Sequence, residues 1–236
     1  MDKHAPFQLP AFSGLGQLPA ALLPWYADNS RALPWRADRQ PYRVWLSEVM
    51  LQQTRAEAVR GYYLRFLEAL PTIAALAEAE EGRLFKLWEG LGYYSRVRNL
   101  QKAARIIMAE HGGLFPRQYE RVRALPGIGD YTAGAICSIC FELPTAAVDG
   151  NVLRCVARLE DIGQAMDAPQ MKRAVAAALS AVYPPGHCGD FTQSLMELGA
   201  TVCLPGPKPR CADCPAQGFC KARAAGRAGE LPLLTP

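Results

Sequence analysis

The chain has 236 residues, of which 50% are hydrophobic, and it carries a formal net charge of +4. This length and composition allow a substantial buried core, so we expect a globular protein. No basic start followed by an apolar core and a small-residue cleavage site opens the chain, so a secreted protein is not expected. The predicted location is cytoplasmic and, in a bacterium, associated with the nucleoid.

The beginning of the chain is uncharged over a long stretch, which raises the question of a membrane span. His4 to Ala27 contains no Asp, Glu, Lys or Arg. Prolines and polar residues interrupt this stretch and argue against a transmembrane helix; they are Pro6, Pro10, Pro19, Pro24, Gln8, Ser13 and Gln17. We therefore predict no membrane association, and a loose tail over residues 1–17.

The rest of the chain shows helical periodicity. In the stretch from Tyr42 to Leu70, apolar residues recur at a spacing of three or four, which predicts two consecutive helices or one helix with a bend. Similar stretches, each bounded by glycine or proline, cover residues 81–88, 95–111, 119–124, 132–141, 152–159, 170–182 and 189–201. No stretch alternates convincingly between apolar and polar residues. The sequence therefore predicts an all-α fold built from short helices.

A short segment of the first helical stretch carries one acidic residue among apolar and amide residues. Glu48 lies in "WLSEVMLQQT", beside Leu46, Val49 and Met50. If this side chain turns inwards, desolvation should raise its pKa and keep it available as a general acid.

Two later stretches are basic. Gly92 to Leu125 contains seven Arg or Lys against two acids, and a second group has only Asp213 among its cations. This second group consists of Lys208, Arg210, Lys221, Arg223 and Arg227. Basic stretches favour a polyanionic partner, although a solvated helix face explains them equally well.

The stretch "LPGIGDYTAGAI", residues 125–136, is a glycine-bounded turn followed by a helical segment. Gly127 and Gly129 lack side chains, and the first N–H groups of the following helix point outwards, so an anion such as a DNA phosphate could approach closely. An ordinary turn between helices is the alternative. The stretch resembles the helix-hairpin-helix element of the DNA glycosylase superfamily that includes endonuclease III.

Tyr131 occupies the position where the glycosylase-lyases of that superfamily have a lysine. A lysine amine can attack the sugar C1′ and form a Schiff base, whereas a phenol cannot form an imine. The resemblance therefore implies a monofunctional glycosylase without strong lyase activity.

Asp149 precedes a helical stretch in "AVDGNV". Asp is a good N-cap, and composition alone favours that structural role. Cleavage of an N-glycosidic bond, however, requires one acid to protonate the leaving base and one carboxylate to stabilise an oxocarbenium-like sugar. Together with Glu48, Asp149 could complete such a pair.

Four of the eight cysteines lie close together near the end of the chain. Cys203, Cys211, Cys214 and Cys220 are separated by seven, two and five residues. Four thiolates could bind zinc or a [4Fe–4S] cluster, but zinc ribbons usually pair two C-x₂-C units. The spacing resembles the cluster loop of endonuclease III, C-x₆-C-x₂-C-x₅-C, with one residue added. This resemblance implies a [4Fe–4S] cluster that shapes the loop carrying Lys208 and Arg210 against the phosphate backbone.

The remaining cysteines have no such grouping. Cys137 and Cys140 lie on an apolar helical stretch and are most simply core residues, and Cys155 and Cys188 stand apart.

A series of motifs in order along the chain resembles the MutY-type adenine DNA glycosylases. They run from about Leu22 to Cys220 and are "LPWR", "YRVWLSEVMLQQT", "WEGLGYYSRVRNL", "LPGIGDYTAGAI", "AVDGNVLRC" and "MELGATVC". This resemblance implies that Glu48 protonates adenine N7 and later helps to activate water. It also implies that Asp149 stabilises or captures the cation, with Asn151 and Tyr131 orienting these groups.

The same resemblance assigns the residues that contact DNA. Around the flipped adenine it places Arg31, Leu33, Trp35, Arg36 and Gln193. Where the duplex is opened it places Gln53, Thr54 and Tyr93. Individually, Trp35 and Tyr93 could be core aromatics, Gln53 a solvated helix residue, and Arg31 and Arg36 surface charges. The implied partner is double-stranded DNA with A:8-oxoguanine or A:G mispairs, on which we expect the protein to act as a monomer.

Two interleaved helical domains are expected. A helical-barrel domain with the helix-hairpin-helix would cover residues 34–146. An iron–sulfur domain would cover residues 18–33 and 147–223, with tails over 1–17 and 224–236. We expect Glu48 to face Asp149 across the cleft between them.

MutY-type enzymes normally continue into a domain resembling a NUDIX hydrolase fold, which reads 8-oxoguanine. Only sixteen residues follow Cys220, too few for a domain, so the preference for 8-oxoguanine over guanine stays open.

Two other functions stay open. One is a thymine or oxidised-pyrimidine glycosylase of the same superfamily, which Tyr131 and the flanks of Glu48 disfavour. The other is a non-catalytic iron–sulfur DNA-binding module, which the presence of both Glu48 and Asp149 disfavours.

Overall fold

The computed structural model describes residues 10–235, and the regular secondary-structure elements in this range are helices. No β-strand occurs in these residues; an isolated bridge pairs Ala165 with Leu233. The prediction of an all-α fold is therefore confirmed. None of the helices in the described range is long and apolar enough to cross a membrane.

The chain forms two compact units, which we call the central unit (Arg31–Ala147) and the flanking unit (Met1–Ser30 with Val148–Pro236). The two domains expected from the sequence, residues 34–146 and residues 18–33 with 147–223, stay a prediction. The central unit contains helices α2 (Pro41–Leu51), α3 (Ala56–Ala69), α4 (Ile73–Glu78), α5 (Glu81–Trp88), α6 (Ser95–Glu110), α7 (Tyr119–Arg123) and α8 (Asp130–Phe141). The flanking unit contains α1 (Leu18–Asn29), α9 (Gly150–Glu160), α10 (Pro169–Ser180), α11 (Cys188–Thr201) and α12 (Lys221–Ala224).

Aromatic side chains fill the core of the central unit. Trp45, Phe66 and Trp88 are fully buried. The Phe66 and Trp88 rings meet edge to face with centroids 5.9 Å apart, and Trp45 meets Phe115 in the same way at 5.4 Å. Such contacts add to the stabilisation from burial.

The two predicted alternatives for residues 42–70 are resolved in favour of two helices. Pro41 occupies the first turn of α2, where its missing N–H is not needed. The helix ends at Leu51, and residues 52–55, which we call loop 52–55, connect it to α3.

In the flanking unit, α1 and α9 both pack against α11. The apolar side chains of Leu22, Val152 and Phe191 are fully buried there. The three helices belong to different parts of the sequence, so the unit depends on contacts between residues that are distant along the chain.

Two segments that the sequence analysis assigned to tails are packed in the structure. Leu15 is 1% exposed within a short 3₁₀ helix, and Leu231 is 2% exposed. The backbone N–H of Gly14 donates to the buried Glu160 carboxylate, and Met166 N donates to Leu233 O. Hydrogen bonds to distant partners, invisible in a local sequence pattern, hold these segments. Residues 1–9 and 236 of the predicted tails lie outside the described range.

Candidate active site

Glu48 lies in the interior of α2, within an almost continuous run of buried residues. Its side chain is 5% exposed. Burial mainly, and the charges of Cys137 and Glu48 to a smaller extent, raise the pKa of the Cys140 thiol in α8. Glu48 is therefore buried and lies near the end of α8.

The hairpin that precedes α8 has the backbone geometry expected from its glycines. Gly127 has φ 78°, which favours glycine, and a Cβ there would lie 2.8 Å from the Cβ of Asn99. Gly129 is the N-cap residue, and the first intrahelical bond of α8 runs from Ala133 N to Gly129 O at 2.9 Å. The three preceding N–H groups belong to the helix start, where an anion can be bound.

Tyr131 lies in the first turn of α8 and is half-buried. Arg123 fixes the turn before it, since its Nη1 donates to Ile128 O at 3.1 Å and its Nε donates to Asp130. Close packing continues along the helix, because a Cβ at Gly134 would lie 2.4 Å from Ala146 O.

Asp149 has the capping role that the sequence suggested, and its second carboxylate oxygen is also held by a hydrogen bond. Its Oδ1 accepts a hydrogen bond from Val152 N at 2.8 Å, so it caps α9. Its Oδ2 accepts one from Asn151 Nδ2 at 2.7 Å. The cap thus holds the carboxylate in a fixed orientation, and Asn151 contacts it directly.

Arg154, which the sequence analysis did not single out, connects Asn151 to the cysteine loop. Its Nη2 donates to Asn151 Oδ1 at 3.0 Å and to Gly199 O at 2.9 Å. Its Nε donates to Cys203 O at 2.8 Å. A Cβ at Gly199 would lie 2.8 Å from Asn151 Cβ, so only glycine allows this approach.

The predicted adenine-contacting residues of the central unit differ in their exposure to solvent. Trp35 and Leu33 are each 7% exposed, and Trp35 meets the Tyr63 ring edge to face at 5.6 Å. Arg31 is exposed and Arg36 half-buried, with Arg36 Nη1 donating to Arg31 O at 3.3 Å. Trp35 therefore has the core packing that its alternative interpretation foresaw.

Gln193, the adenine-contacting candidate in the flanking unit, is buried within α11. Its exposed fraction is 9%, and its Nε2 donates to Gly189 O at 3.4 Å, one turn earlier.

The three candidates for opening the duplex lie on two loops of the central unit. Gln53 and Thr54 belong to loop 52–55, and Tyr93 belongs to residues 89–94, which we call loop 89–94. Gln53 has φ 57° and Tyr93 has φ 48°, in the left-handed region. Gln53 is exposed, Tyr93 is 62% exposed and Thr54 is half-buried. Gln53 is therefore not a helix residue and Tyr93 is not a core residue, contrary to their alternative interpretations.

The four clustered cysteines line one small cavity of about 30 Å³ in the flanking unit. Within residues 10–235, no three His, Cys, Asp or Glu side chains converge closely enough to hold a single ion. Each of the four thiols is half-buried. The four predicted ligands therefore line the same cavity, but they do not converge on a single point.

Arg158, a second residue that sequence reasoning missed, is 2% exposed beside this cavity. Its Nη1 donates to Cys203 Sγ at 3.5 Å and to Leu204 O at 2.7 Å, and its Nε donates to Leu231 O at 2.9 Å. Hydrogen bonding from Cys155, together with the hydrogen bond and charge of Arg158, lowers the pKa of Cys203 to about 6. The residue types around the cavity thus suit a negatively charged group.

The cationic residues of the cysteine loop differ in their surroundings. Lys208 is exposed, whereas Arg210 pairs with Asp213 through Nη2 at 2.9 Å. Of the two, Lys208 is better placed to reach a phosphate.

Comparison with known proteins places these observations in a wider context. Residues 46–181 match the family described as "HhH-GPD superfamily base excision DNA repair protein". The adenine DNA glycosylase of Mus musculus is 44% identical over 222 residues, which are 90% of this chain and 43% of the relative. That of Buchnera aphidicola subsp. Baizongia pistaciae is 37% identical over 202 residues, 85% of this chain and 57% of the relative.

The chain therefore spans only about half the length of these curated relatives. Among solved structures, a thermostable thymine-DNA glycosylase is similar with a TM-score of 0.80 and 25% identity, covering 90% of this chain and 97% of that one. A non-covalent endonuclease III–DNA complex is similar in fold, with a TM-score of 0.72 and 23% identity, covering 90% and 98%.

Proposed function

The chain belongs to the HhH-GPD superfamily of base excision DNA repair proteins, and we propose that it releases adenine mispaired with 8-oxoguanine or guanine by hydrolysing the N-glycosidic bond. The observation that carries the proposal is the pair of carboxylates, one buried at Glu48 and one held by hydrogen bonds at Asp149. The names of the relatives support adenine as the base, since adenine DNA glycosylases from animals, a plant and bacteria match most of the chain.

In this mechanism Glu48 donates a proton to the leaving base. A carboxyl group removed from water is suited to carry a proton, and general acid catalysis contributes roughly 10²- to 10⁴-fold to a rate. Protonation at adenine N7 makes the base a better leaving group. The same carboxylate, once it has lost its proton, can accept one from the attacking water.

Asp149 supports the positive charge that develops on the sugar as the base leaves. Asn151 and the N-terminal turn of α9 hold its two oxygens, so it need not reorganise during the reaction. Either electrostatic stabilisation or capture of the cation at C1′ is compatible with this orientation.

We propose that the enzyme is monofunctional, because Tyr131 provides no amine at the start of α8. Replacing it by lysine, Tyr131→Lys, should create a Schiff base with the abasic sugar that borohydride traps. Failure to trap in a folded, DNA-binding variant would contradict the proposed placement of the hairpin.

A [4Fe–4S] cluster held by Cys203, Cys211, Cys214 and Cys220 is the cofactor that this loop fits best. Zinc gathers four ligands around one ion at about 2.3 Å, whereas the four irons of a cluster each take their own thiolate. The buried Arg158 beside these thiols accords with a negatively charged group. When bound, the cluster would cross-link the loop that carries Lys208 towards the DNA backbone.

The test is single-turnover base release from duplexes containing A:8-oxoguanine, A:G, T:G and thymine glycol, each with and without alkali. We expect adenine release that yields strand breaks only after alkali. The ratio between the first two duplexes measures the preference for 8-oxoguanine. Thymine release would instead support the function named for the thymine-DNA glycosylase of similar fold, and no release would support a binding module.

A further inference from the structure

One arginine of the central unit joins both loops that carry the duplex-opening candidates. Arg96 lies in the first turn of α6, and its guanidinium donates to five backbone carbonyls. Nη1 contacts Val49 O at 3.0 Å, Met50 O at 3.1 Å and Gln52 O at 2.6 Å. Nη2 contacts Leu91 O at 2.9 Å and Gly92 O at 3.2 Å. We call this set of contacts the Arg96 bridge.

The bridge contacts the peptide immediately before each left-handed residue. Gln52 O precedes Gln53, and Gly92 O precedes Tyr93. A left-handed conformation is unfavourable for a residue with a side chain and persists only where the surroundings impose it. Because the planar guanidinium of Arg96 holds both carbonyls, one group restrains the unfavourable backbone conformation of both left-handed residues.

The bridge also fixes the end of the helix that carries Glu48. Val49 O and Met50 O belong to the last turn of α2, where carbonyls have no partner within the helix. A cation there satisfies them and interacts favourably with the negative end of the helix dipole. Glu48 is the residue directly before this capped turn.

Aromatic rings surround the guanidinium and restrict its position further. It lies 5.5 Å from the Trp88 ring centroid and 5.4 Å from that of Tyr93. Trp88 Nε1 donates to Gly92 O at 3.0 Å, the same carbonyl that accepts from Arg96. The guanidinium thus lies between the exposed Tyr93 and the core of the unit.

We propose that Arg96 is a positioning residue that sets the spacing and the backbone conformation of Gln53 and Tyr93, so that both enter the duplex together when a base is extruded. This inference rests on the proposed function for its consequence on DNA. The arrangement of the loops in the protein alone does not depend on that function. A lysine could keep the charge, but one ammonium lacks the planar fork that reaches both loops.

The first arm of the test uses the protein without DNA and measures amide hydrogen exchange in Arg96→Met and Arg96→Lys. Thr54 N donates to Leu51 O and Leu91 N donates to Trp88 O, so each loop contains a hydrogen-bonded amide. We expect both amides to exchange about tenfold faster in both variants, which corresponds to about 1.4 kcal/mol of local stability. Val122 N, which donates to Gln118 O elsewhere in the unit, should not change.

The matched control is Arg98→Met, which removes one positive charge from the same helix. Arg98 pairs with Glu81 and lies over the Phe85 ring, so its side chain takes no part in the Arg96 bridge. The control should leave the exchange of Thr54 and Leu91 unchanged. A uniform acceleration of all amides in the Arg96 variants would indicate lost global stability and would overturn the proposal, as would unchanged exchange in either loop.

The second arm measures base extrusion with chemistry disabled. In a Glu48→Gln background, the fluorescence of 2-aminopurine placed opposite guanine rises when the base leaves the stack. At saturating protein we expect Arg96→Lys and Arg96→Met to lose most of this rise, and Arg98→Met to keep it. If Arg96→Lys behaves like the unaltered chain in both arms, only the positive charge of Arg96 matters, and the proposal is overturned.

The two arms separate this inference from the proposed function. If the unaltered chain neither releases adenine nor extrudes 2-aminopurine, the proposed function fails while the exchange measurement still decides the bridge. If Arg96→Met does not fold, both measurements are made with Arg96→Lys alone.

Discussion

Glu48 in the central unit and Asp149 in the flanking unit are held in different ways. Glu48 lies inside a helix and is 5% exposed, so its position follows from packing. Asp149 stands at a helix start, half-buried, and its two oxygens accept hydrogen bonds from Val152 N and Asn151 Nδ2. Burial suits a group that must deliver a proton, and N–H donors suit one that must stay charged. The difference supports the proposed roles, in which Glu48 is the acid and Asp149 the stabiliser.

The largest expected effect is that of Glu48→Gln. The amide keeps the shape of the side chain but has no acidic proton, so single-turnover adenine release should fall by roughly 10²- to 10⁴-fold. Binding to the A:8-oxoguanine duplex should stay within about threefold, since no phosphate contact is removed. Glu57→Gln, at a side chain that is 87% exposed on α3, is the control. Equal release by the two variants would remove Glu48 from the mechanism.

Asp149→Asn separates the charge of Asp149 from its capping role. Asparagine is also a good N-cap, so the free energy of unfolding should change by less than about 0.5 kcal/mol. Adenine release should nevertheless fall by roughly 10²- to 10³-fold, the range for losing one preorganised electrostatic contact. Urea unfolding and single-turnover release measure the two effects. Parallel losses of stability and activity would reduce Asp149 to a cap.

Gly199→Ala tests whether Asp149 depends on its hydrogen-bonded surroundings. The added methyl would lie 2.8 Å from Asn151 Cβ and should push Asn151 away from the carboxylate. We expect a loss of about 1–3 kcal/mol in stability from overpacking and about tenfold slower release, a factor that corresponds to about 1.4 kcal/mol. Gly82→Ala, where nothing lies within 4 Å of the new Cβ, is the control. Normal release by a folded Gly199→Ala would show that Asn151 does not orient Asp149.

The smallest effect is that of Thr72→Ala, which concerns stability alone and is compared with the loss of the cap in Asp149→Ala. Asp149→Ala removes the cap of α9 and should lower the free energy of unfolding by about 1 kcal/mol. Thr72→Ala removes the cap of α4 in the central unit, where Thr72 Oγ1 accepts from Ala75 N at 3.1 Å. Its loss should be comparable in unfolding experiments, but adenine release should be unaffected. A defect in release for Thr72→Ala would mean that capping, rather than charge, explains the Asp149 variants.

Local patterns sufficed for the helices, the hairpin and the gathering of the cysteines, because spacing and turn residues act over a few positions. The features that could not be predicted are contacts between residues that lie far apart in the sequence. Arg96 contacts carbonyls up to 47 residues away, and Arg158 contacts Leu231, which is 73 residues away. No periodicity announces such contacts, and a basic residue near a helix start is equally compatible with a solvent-exposed position.

The left-handed backbones of Gln53 and Tyr93 were also beyond the sequence. Neither residue is a glycine, so composition gives no reason to expect φ > 0. Asp149 illustrates the opposite case, since the sequence suggested both a cap and a catalytic carboxylate. The structure is compatible with both roles, because a different N–H group donates to each oxygen of the Asp149 carboxylate.

The most direct measurement compares single-turnover adenine release from an A:8-oxoguanine duplex by four proteins at saturating concentration. They are the unaltered chain, Glu48→Gln, Asp149→Asn and the double variant. Groups that act on one transition state are not additive. The account predicts adenine release by the unaltered chain and a double variant no slower than the slower single variant. Single variants that release adenine at the unaltered rate, or an unaltered chain that releases none, would contradict it.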